Sequence, residues 1–263
     1  MATLSLVIPA YNEEERLPGL LAALDASAES IVAASGFELL EILVVDDGST
    51  DRTAGILRQA EAGSPRLKPV LDAERNRGKG AAFASGVSRA EGDYVLLTDV
   101  DLSTPLEELP KLAAAVDAGS AIAIGSRAIE GAVVERGPAH RKLLGKGFNG
   151  LVRLLTGLDI RDTQCGFKLL PTREARLLVS EQRCPGFAFD VELLMRADQA
   201  GLSIAEVPVL YLHDSRSSVA VGSASLQMLR DICDLSYRLR LRGGPRRSER
   251  PRSLVGVSAD DSD

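Results

Sequence analysis

The chain has 263 residues, enough for one large α/β domain or two small ones with a substantial core, and its 45% hydrophobic and 26% charged content is ordinary for a soluble globule. The absence of Trp and an aromatic content of 4% argue against a base-stacking nucleic-acid platform, and no uninterrupted apolar run approaches the ~18 residues of a membrane span. Cys165, Cys184 and Cys233 are too widely spaced for a metal-ligand pattern or a disulfide framework, so they read as reduced cytosolic thiols.

Short apolar runs alternate with helical patterns through the first half. The N-terminus enters a strand pattern directly, Leu4–Ile8, with no basic region ahead of an apolar core, so a secretory signal is not expected. Leu17–Ala28 has helical spacing, Ile42–Val45 reads as a buried strand and Thr53–Glu61 as a helix. Pro69–Leu71 reads as a shorter strand, Ala81–Ala90 as a helix and Tyr94–Leu97 as a strand. Leu106–Ala118 is helical and Ile122–Ile124 a further strand. This alternation predicts a mostly parallel central sheet with helices on both faces.

Polar motifs follow the strands: Pro9-Ala10-Tyr11-Asn12-Glu13, then Asp46-Asp47-Gly48-Ser49, then Asp99-Val100-Asp101. Open α/β sheets bind ligands beyond the carboxyl ends of their strands, so the three motifs describe one cleft. In an extended chain Asp99 and Asp101 share a face, and paired hard oxygens suit Mg²⁺ or Mn²⁺ completed by substrate phosphates. Adjacent Asp46 and Asp47 repel unless a cation or a donor-rich ligand is near. Residues 48–51 are explained by a tight turn and a helix cap. Asn76-Arg77-Gly78-Lys79-Gly80 precedes a helix without Walker spacing and suits an anion through exposed N–H groups. Arg127, after Gly125-Ser126, can clamp a diphosphate through paired hydrogen bonds, and Lys168 can do the same as a point charge.

In the second half, Arg141–Leu158 mixes leucines with Arg141, Lys142, Lys146 and Arg153 and has no acid, which suits an anionic membrane surface. Its four glycines, Gly145, Gly147, Gly150 and Gly157, predict a broken or kinked helix. Ile204–Leu210 reads as a strand and Leu226–Leu241 as a helix with a basic end. Between Arg230 and Arg252 eight arginines stand against three acids, although the whole chain carries −6. From Gly243 the composition is too poor in apolar residues to repay ordering, so 243–263 is expected to be a disordered tail. His140 and His213 have no partner spacing for zinc, and no nucleophile–histidine pattern for acyl transfer is present.

Taken together, Val7–Glu13, Val44–Ser49, Gly78-Lys79-Gly80, Asp99-Val100-Asp101, Gly125-Ser126-Arg127, Asp162–Leu169 and Phe189–Leu194 resemble the GT-A glycosyltransferases of family 2. Within that family they are similar to the polyprenyl-phosphate branch, especially the dolichyl-phosphate β-glucosyltransferases. The resemblance runs from about Leu4 to Leu235. It implies a GT-A domain over 1–242, with a nucleotide-sugar-binding half (1–130) and an acceptor-side, membrane-facing half (131–242). The implied reaction is an inverting transfer of a sugar, glucose by family preference, from a nucleotide diphosphate to a polyprenyl phosphate.

By motif position, Pro9, Tyr11, Asn12, Glu13, Asp46, Asp47 and Lys79 would serve the donor, and Asp99 would sit near base and ribose. Asp101 would coordinate Mg²⁺ or Mn²⁺ with Ser103 close to it. Arg127 would face the diphosphate and Lys168 the acceptor phosphate. Relatives often carry a Ser-Lys pair in the later acceptor loop; here the chain reads Asp214-Ser215-Arg216-Ser217, and Arg216 is the candidate replacement. The implied location is cytoplasmic and peripheral at the inner membrane face, through basic–apolar surface, a homo-oligomer or a membrane-protein partner. Two other readings stay open: a family-2 enzyme with a soluble or saccharide acceptor, using Asp162 or Asp190 as general base, and a nucleotide-sugar-binding module without turnover.

Overall fold

The computed structural model describes residues 1–71, 73–135, 139–212 and 221–242. Strand β1 (Ala2–Ala10) leads into helices α1 (Leu17–Ala23) and α2 (Glu29–Ala34), joined without a break by a π-helical turn over Leu24–Ala28. Strand β2 (Phe37–Asp46), α3 (Thr53–Glu61), α4 (Lys79–Arg89) and β3 (Tyr94–Leu97) follow. A 3₁₀ turn at Leu106–Glu108 runs into α5 (Leu109–Asp117), then come β4 (Ile122–Ser126), β5 (Val133–Val134) and α6 (Ala139–Thr156). The remainder is β6 (Lys168–Pro171), α7 (Thr172–Ser180), α8 (Phe189–Gln199), β7 (Ile204–Pro208), β8 (Leu210–Tyr211) and α9 (Val221–Arg242).

Six strands form the central sheet in the order β2-β1-β3-β6-β4-β7, and β5 pairs with β8 in a separate ribbon. Every neighbouring pair in the large sheet is parallel except the two made by β6. Side chains alternate across a strand, so each strand feeds two cores. Leu4, Leu6 and Ile8 of β1 join Leu17, Leu20, Leu24, Ala28 and Val32 of the first helical run and Leu109 and Leu112 of α5. Val7, with Val95 and Leu97 of β3 and Ile122 and Ile124 of β4, packs instead on Phe83 and Val87 of α4, Leu178 of α7 and Leu194 of α8. Helices therefore cover both faces.

Leu17–Ala34 is apolar and long enough, by composition, to cross a membrane. Its buried stripe at 17, 20, 24, 28 and 32 instead lies on the sheet, while Asp25, Glu29 and Ser30 face outward.

Several expectations are corrected. Pro69–Leu71 is no strand: isolated parallel bridges join Ile42 to Leu67 and Val45 to Val70, and the segment hangs on the free edge of β2 without a continuous ladder. Ile204–Leu210 divides at Val209, where the chain leaves the large sheet for the β5–β8 ribbon. The glycine-containing helix is unbroken over Ala139–Thr156, because Phe148, Val152 and Leu155 pack into the core and outweigh propensity. It stops before Gly157, whose φ of 65° a β-carbon would resist. The expected tail, 243–263, and Arg216 lie outside the described residues.

Candidate active site

The motif ends of β1 and β2 are fastened to each other. Asn12, in the left-handed region at φ 53°, donates its amide to Ser49 Oγ (2.9 Å) and accepts from the Thr50 amide at Oδ1 (2.9 Å). The Glu13 amide donates to Thr53 Oγ1 at 2.8 Å. These bonds leave the Tyr11 ring 41% exposed at the rim and turn the Glu13 carboxylate inward beside Arg16. Burial raises the Glu13 pKa, Arg16 opposes the shift, and Asp101 and Asp51 add to it. Pro9, paired with Val45 across the parallel strands, holds this corner in register.

The predicted repulsion between Asp46 and Asp47 is relieved by the protein itself. Asp46, buried, accepts from the amide and the hydroxyl of Ser49. Asp47, also buried, accepts from the backbone amides of Arg77 (3.0 Å) and Gly78 (2.6 Å). Burial raises its pKa despite those donors. Asp47 is thus the peg that seats the Arg77–Lys79 loop. Gly78 is needed there, since its φ is 107° and a β-carbon would meet the Pro185 carbonyl oxygen at 2.5 Å.

At the end of β3 the strand stops at Leu97, and Val100 and Asp101 form a turn with Leu102 at φ 46°. Strand alternation therefore does not gather Asp99 and Asp101; the turn does. Asp99 Oδ1 accepts from Lys79 Nζ at 2.6 Å, and its carboxylate lies so close to the backbone of Gly166 that any β-carbon there would overlap it. Burial opposes ionisation of Asp99, but Lys79, with Lys168 and Arg127, holds its pKa below the usual range. Asp101 Oδ1 accepts from the Ser103 amide at 2.9 Å. Ser103 Oγ is buried without a hydrogen-bond partner among the described residues.

The antiparallel strand supplies the next cation. Register places Lys168 opposite both Leu97 and Ile124, at the same edge of the sheet as the tips of β3 and β4. Its ammonium is held by Asp190, in the first turn of α8, and by the Cys165 carbonyl. It has no exposed surface. This corrects the expectation that Lys168 presents its charge to a bound phosphate: in this arrangement it is the buried counter-ion of Asp190. Arg127 grips Asp162 through Nε (2.7 Å), Nη2 (2.9 Å) and its own amide (2.9 Å), and its guanidinium lies 5.0 Å from the Tyr211 ring centre. Burial opposes ionisation of Asp162, yet Arg127 holds its carboxyl below the usual aspartate range.

Reasoning from sequence missed one organising residue. Glu206 of β7 accepts from Ser126 Oγ (2.8 Å) and from the amides of Arg161 (2.8 Å) and Asp162 (3.0 Å), so it fixes both sides of the Arg127–Asp162 pair. The available signal was a carboxylate inside the apolar run Ile204–Leu210.

Among the described residues no group of three or more His, Cys, Asp or Glu forms a ready-made metal cage. The residues present nevertheless fit a hard dication that draws its remaining ligands from a substrate. Asp101 offers carboxylate oxygen, and the partnerless Ser103 hydroxyl lies in the same turn. Carboxylates and cations interleave along this one edge, without a large excess of either sign.

This sheet order, with polar motifs at the strand ends, is that of a GT-A glycosyltransferase fold. Glucosyl-3-phosphoglycerate synthase from Mycobacterium tuberculosis, solved with Mn²⁺, UDP-glucose and phosphoglyceric acid, shares it with a TM-score of 0.61 and 21% identity, over 89% of this chain and 80% of that one. The glycosyl transferase family 2 model matches residues 5–173, and the chain belongs to that family. Curated relatives include the dolichyl-phosphate beta-glucosyltransferases of Drosophila melanogaster, 37% identical over 87% of this chain and 73% of the relative, and of Homo sapiens, 35% identical over 95% and 79%.

Proposed function

We propose that this protein transfers a sugar, glucose in the first instance, from a nucleotide diphosphate to a polyprenyl phosphate, with inversion. The family and the likeness to dolichyl-phosphate glucosyltransferases support the reaction class. The observation that carries the acceptor class is the engagement of Asp162 by Arg127 and of Asp190 by Lys168. A hydroxyl acceptor needs a carboxylate to take its proton in the transition state. Both candidate bases are spent on cations, and Asp162 is held more acidic than usual, hence a weaker base. A phosphate monoester is already anionic near neutral pH and needs no such base.

In this reading Tyr11, Glu13 and Asp46, with Pro9, Asn12 and the Asp47-seated loop, receive the nucleotide, and Asp99 and Lys79 lie beside its ribose and diphosphate. Asp101, with Ser103, would hold Mg²⁺ or Mn²⁺, which supplies Lewis-acid stabilisation of the charge that develops on the leaving diphosphate. Arg127, whose guanidinium keeps 30% exposure while paired, offsets repulsion between the two anions and sets the line of approach. Lys168 acts from below through its field, and Arg216 is the proposed further acceptor contact. Residues 1–130 form the donor side and 131–242 the acceptor side. Exposed Leu151, Leu154 and Arg153 on α6 support a peripheral position on a cytoplasmic membrane face. The deciding assay offers labelled nucleotide sugars to a short polyprenyl phosphate and to water-soluble acceptors, with and without Mn²⁺. Transfer confined to soluble acceptors would refute the proposal.

A further inference from the structure

Three cations on this edge are each paired with a carboxylate, but the pairs are not equivalent. Asp162 and Asp190 are 1% and 5% exposed, and their partners are tied down by further bonds. In the Lys79–Asp99 pair both side chains stay open, at 20% and 37%. Lys79 is the first residue of α4, at the end of a loop whose backbone is fixed by Asp47, with its ammonium over the Phe189 ring, 5.9 Å from the ring centre. The base of this lysine is anchored by the loop, while its tip meets a partly exposed carboxylate. The ammonium also feels Asp190 and Asp101 beside Asp99, which together hold it protonated.

We propose that Lys79 stands in for the divalent cation: in the nucleotide-free protein its ammonium neutralises the Asp99–Asp101 turn, and on joint arrival of cation and nucleotide it moves from Asp99 to the diphosphate. The inference rests on the reading that this site takes a nucleotide sugar with a dication, and it assigns the order of charges within it. A dication arriving alone must displace an ammonium that then has no anion to receive it. A nucleotide arriving alone must draw the ammonium away and leave Asp99 and Asp101 uncompensated. Together the two arrivals exchange partners with no charge stranded, so each ligand tightens the other reciprocally.

The test is a Mn²⁺ titration of the full chain, followed by electron paramagnetic resonance, with and without UDP. Wild type is expected to bind Mn²⁺ about tenfold more tightly when UDP is present. Lys79→Met is expected to tighten nucleotide-free Mn²⁺ binding by about tenfold and to shrink the UDP-dependent gain. Lys79→Arg, which keeps the charge, should bind nucleotide-free Mn²⁺ as weakly as wild type. Circular dichroism melts accompany each variant, and Lys79→Gln substitutes if the methionine variant does not fold. If removing the charge leaves nucleotide-free Mn²⁺ affinity unchanged or lower, or if Lys79→Arg gains as much as Lys79→Met, the stand-in role is overturned. If wild type takes up no Mn²⁺ even with UDP, the dication-dependent reading of the site falls, and this inference with it.

Discussion

Arg127 reaches Asp162 three times, through its amide, its Nε and its Nη2, so one residue satisfies a carboxylate 35 positions later by both backbone and side chain. The pair joins the tip of β4 to the loop before β6, and Glu206 accepts from Ser126, next to Arg127, and from the Asp162 amide. Asp162→Asn keeps the shape but removes the charge and turns one acceptor into a donor facing Arg127. Charge-assisted hydrogen bonds of this kind contribute about 1.5–3 kcal/mol. A loss of about 2 kcal/mol in urea unfolding is expected, with a raised acceptor KM.

The same pair gives a pH signature. The folded pKa of Asp162 lies below its unfolded value, so its contribution is full above the unfolded value, near ~3.9, and is lost as pH falls through the folded one. Wild type should therefore lose stability below about pH 4 more steeply than Asp162→Asn. Parallel acid melts of the two proteins would disprove the assignment.

Asp101→Ala removes the carboxylate of the turn without touching either core. Turnover should fall by about 10²–10³-fold or more, while the melting temperature stays within a degree or two. Near-normal turnover with Mn²⁺ would show that Asp101 is not the ligand.

Gly166→Ala adds one methyl group where the Asp99 carboxylate already lies. Asp99 must swing away, and its bond to Lys79 is lost with it. The expected outcome is a weaker donor, read as a rise in donor KM of about tenfold, with a fold still intact by circular dichroism, because the displaced Asp99 no longer meets the nucleotide; one charge-assisted bond to the ligand accounts for that size.

Lys168→Met strands the Asp190 carboxylate in a buried site. Breaking such a pair from one side costs about 3–5 kcal/mol. Replacing both, Lys168→Met with Asp190→Leu, should restore much of that stability, because two apolar side chains leave no buried charge. A double variant no more stable than the single would mean that the pair is not the source of the loss.

The first half of the fold was legible because its signals are local. Strands such as Tyr94–Leu97 and helices such as Thr53–Glu61 lie where their apolar spacing puts them, and the motifs of Asp46, Asp99 and Arg127 all follow strands. What escaped depends on partners distant in sequence. Lys168-Leu169-Leu170-Pro171 is too short to announce a strand and becomes one between Leu97 and Ile124. The partners that seat Asp47, the amides of Arg77 and Gly78, lie 30 and 31 residues away. Lys168 looked available for the same reason: nothing near it in sequence indicates that Asp190 will bury it.

Strand β6 runs against its neighbours, and a consequence follows for how this architecture can vary. Because β6 begins at the cleft rim, the loop carrying Asp162, Cys165 and Gly166 reaches the rim without a crossover helix of its own. Under the proposed function, substitutions or insertions before Asp159 would reshape the acceptor side, while the corner between β1 and β2, fastened by its own hydrogen bonds, keeps its dimensions. Under that reading, donor and recipient chemistry would be free to diverge at separate rates within one fold.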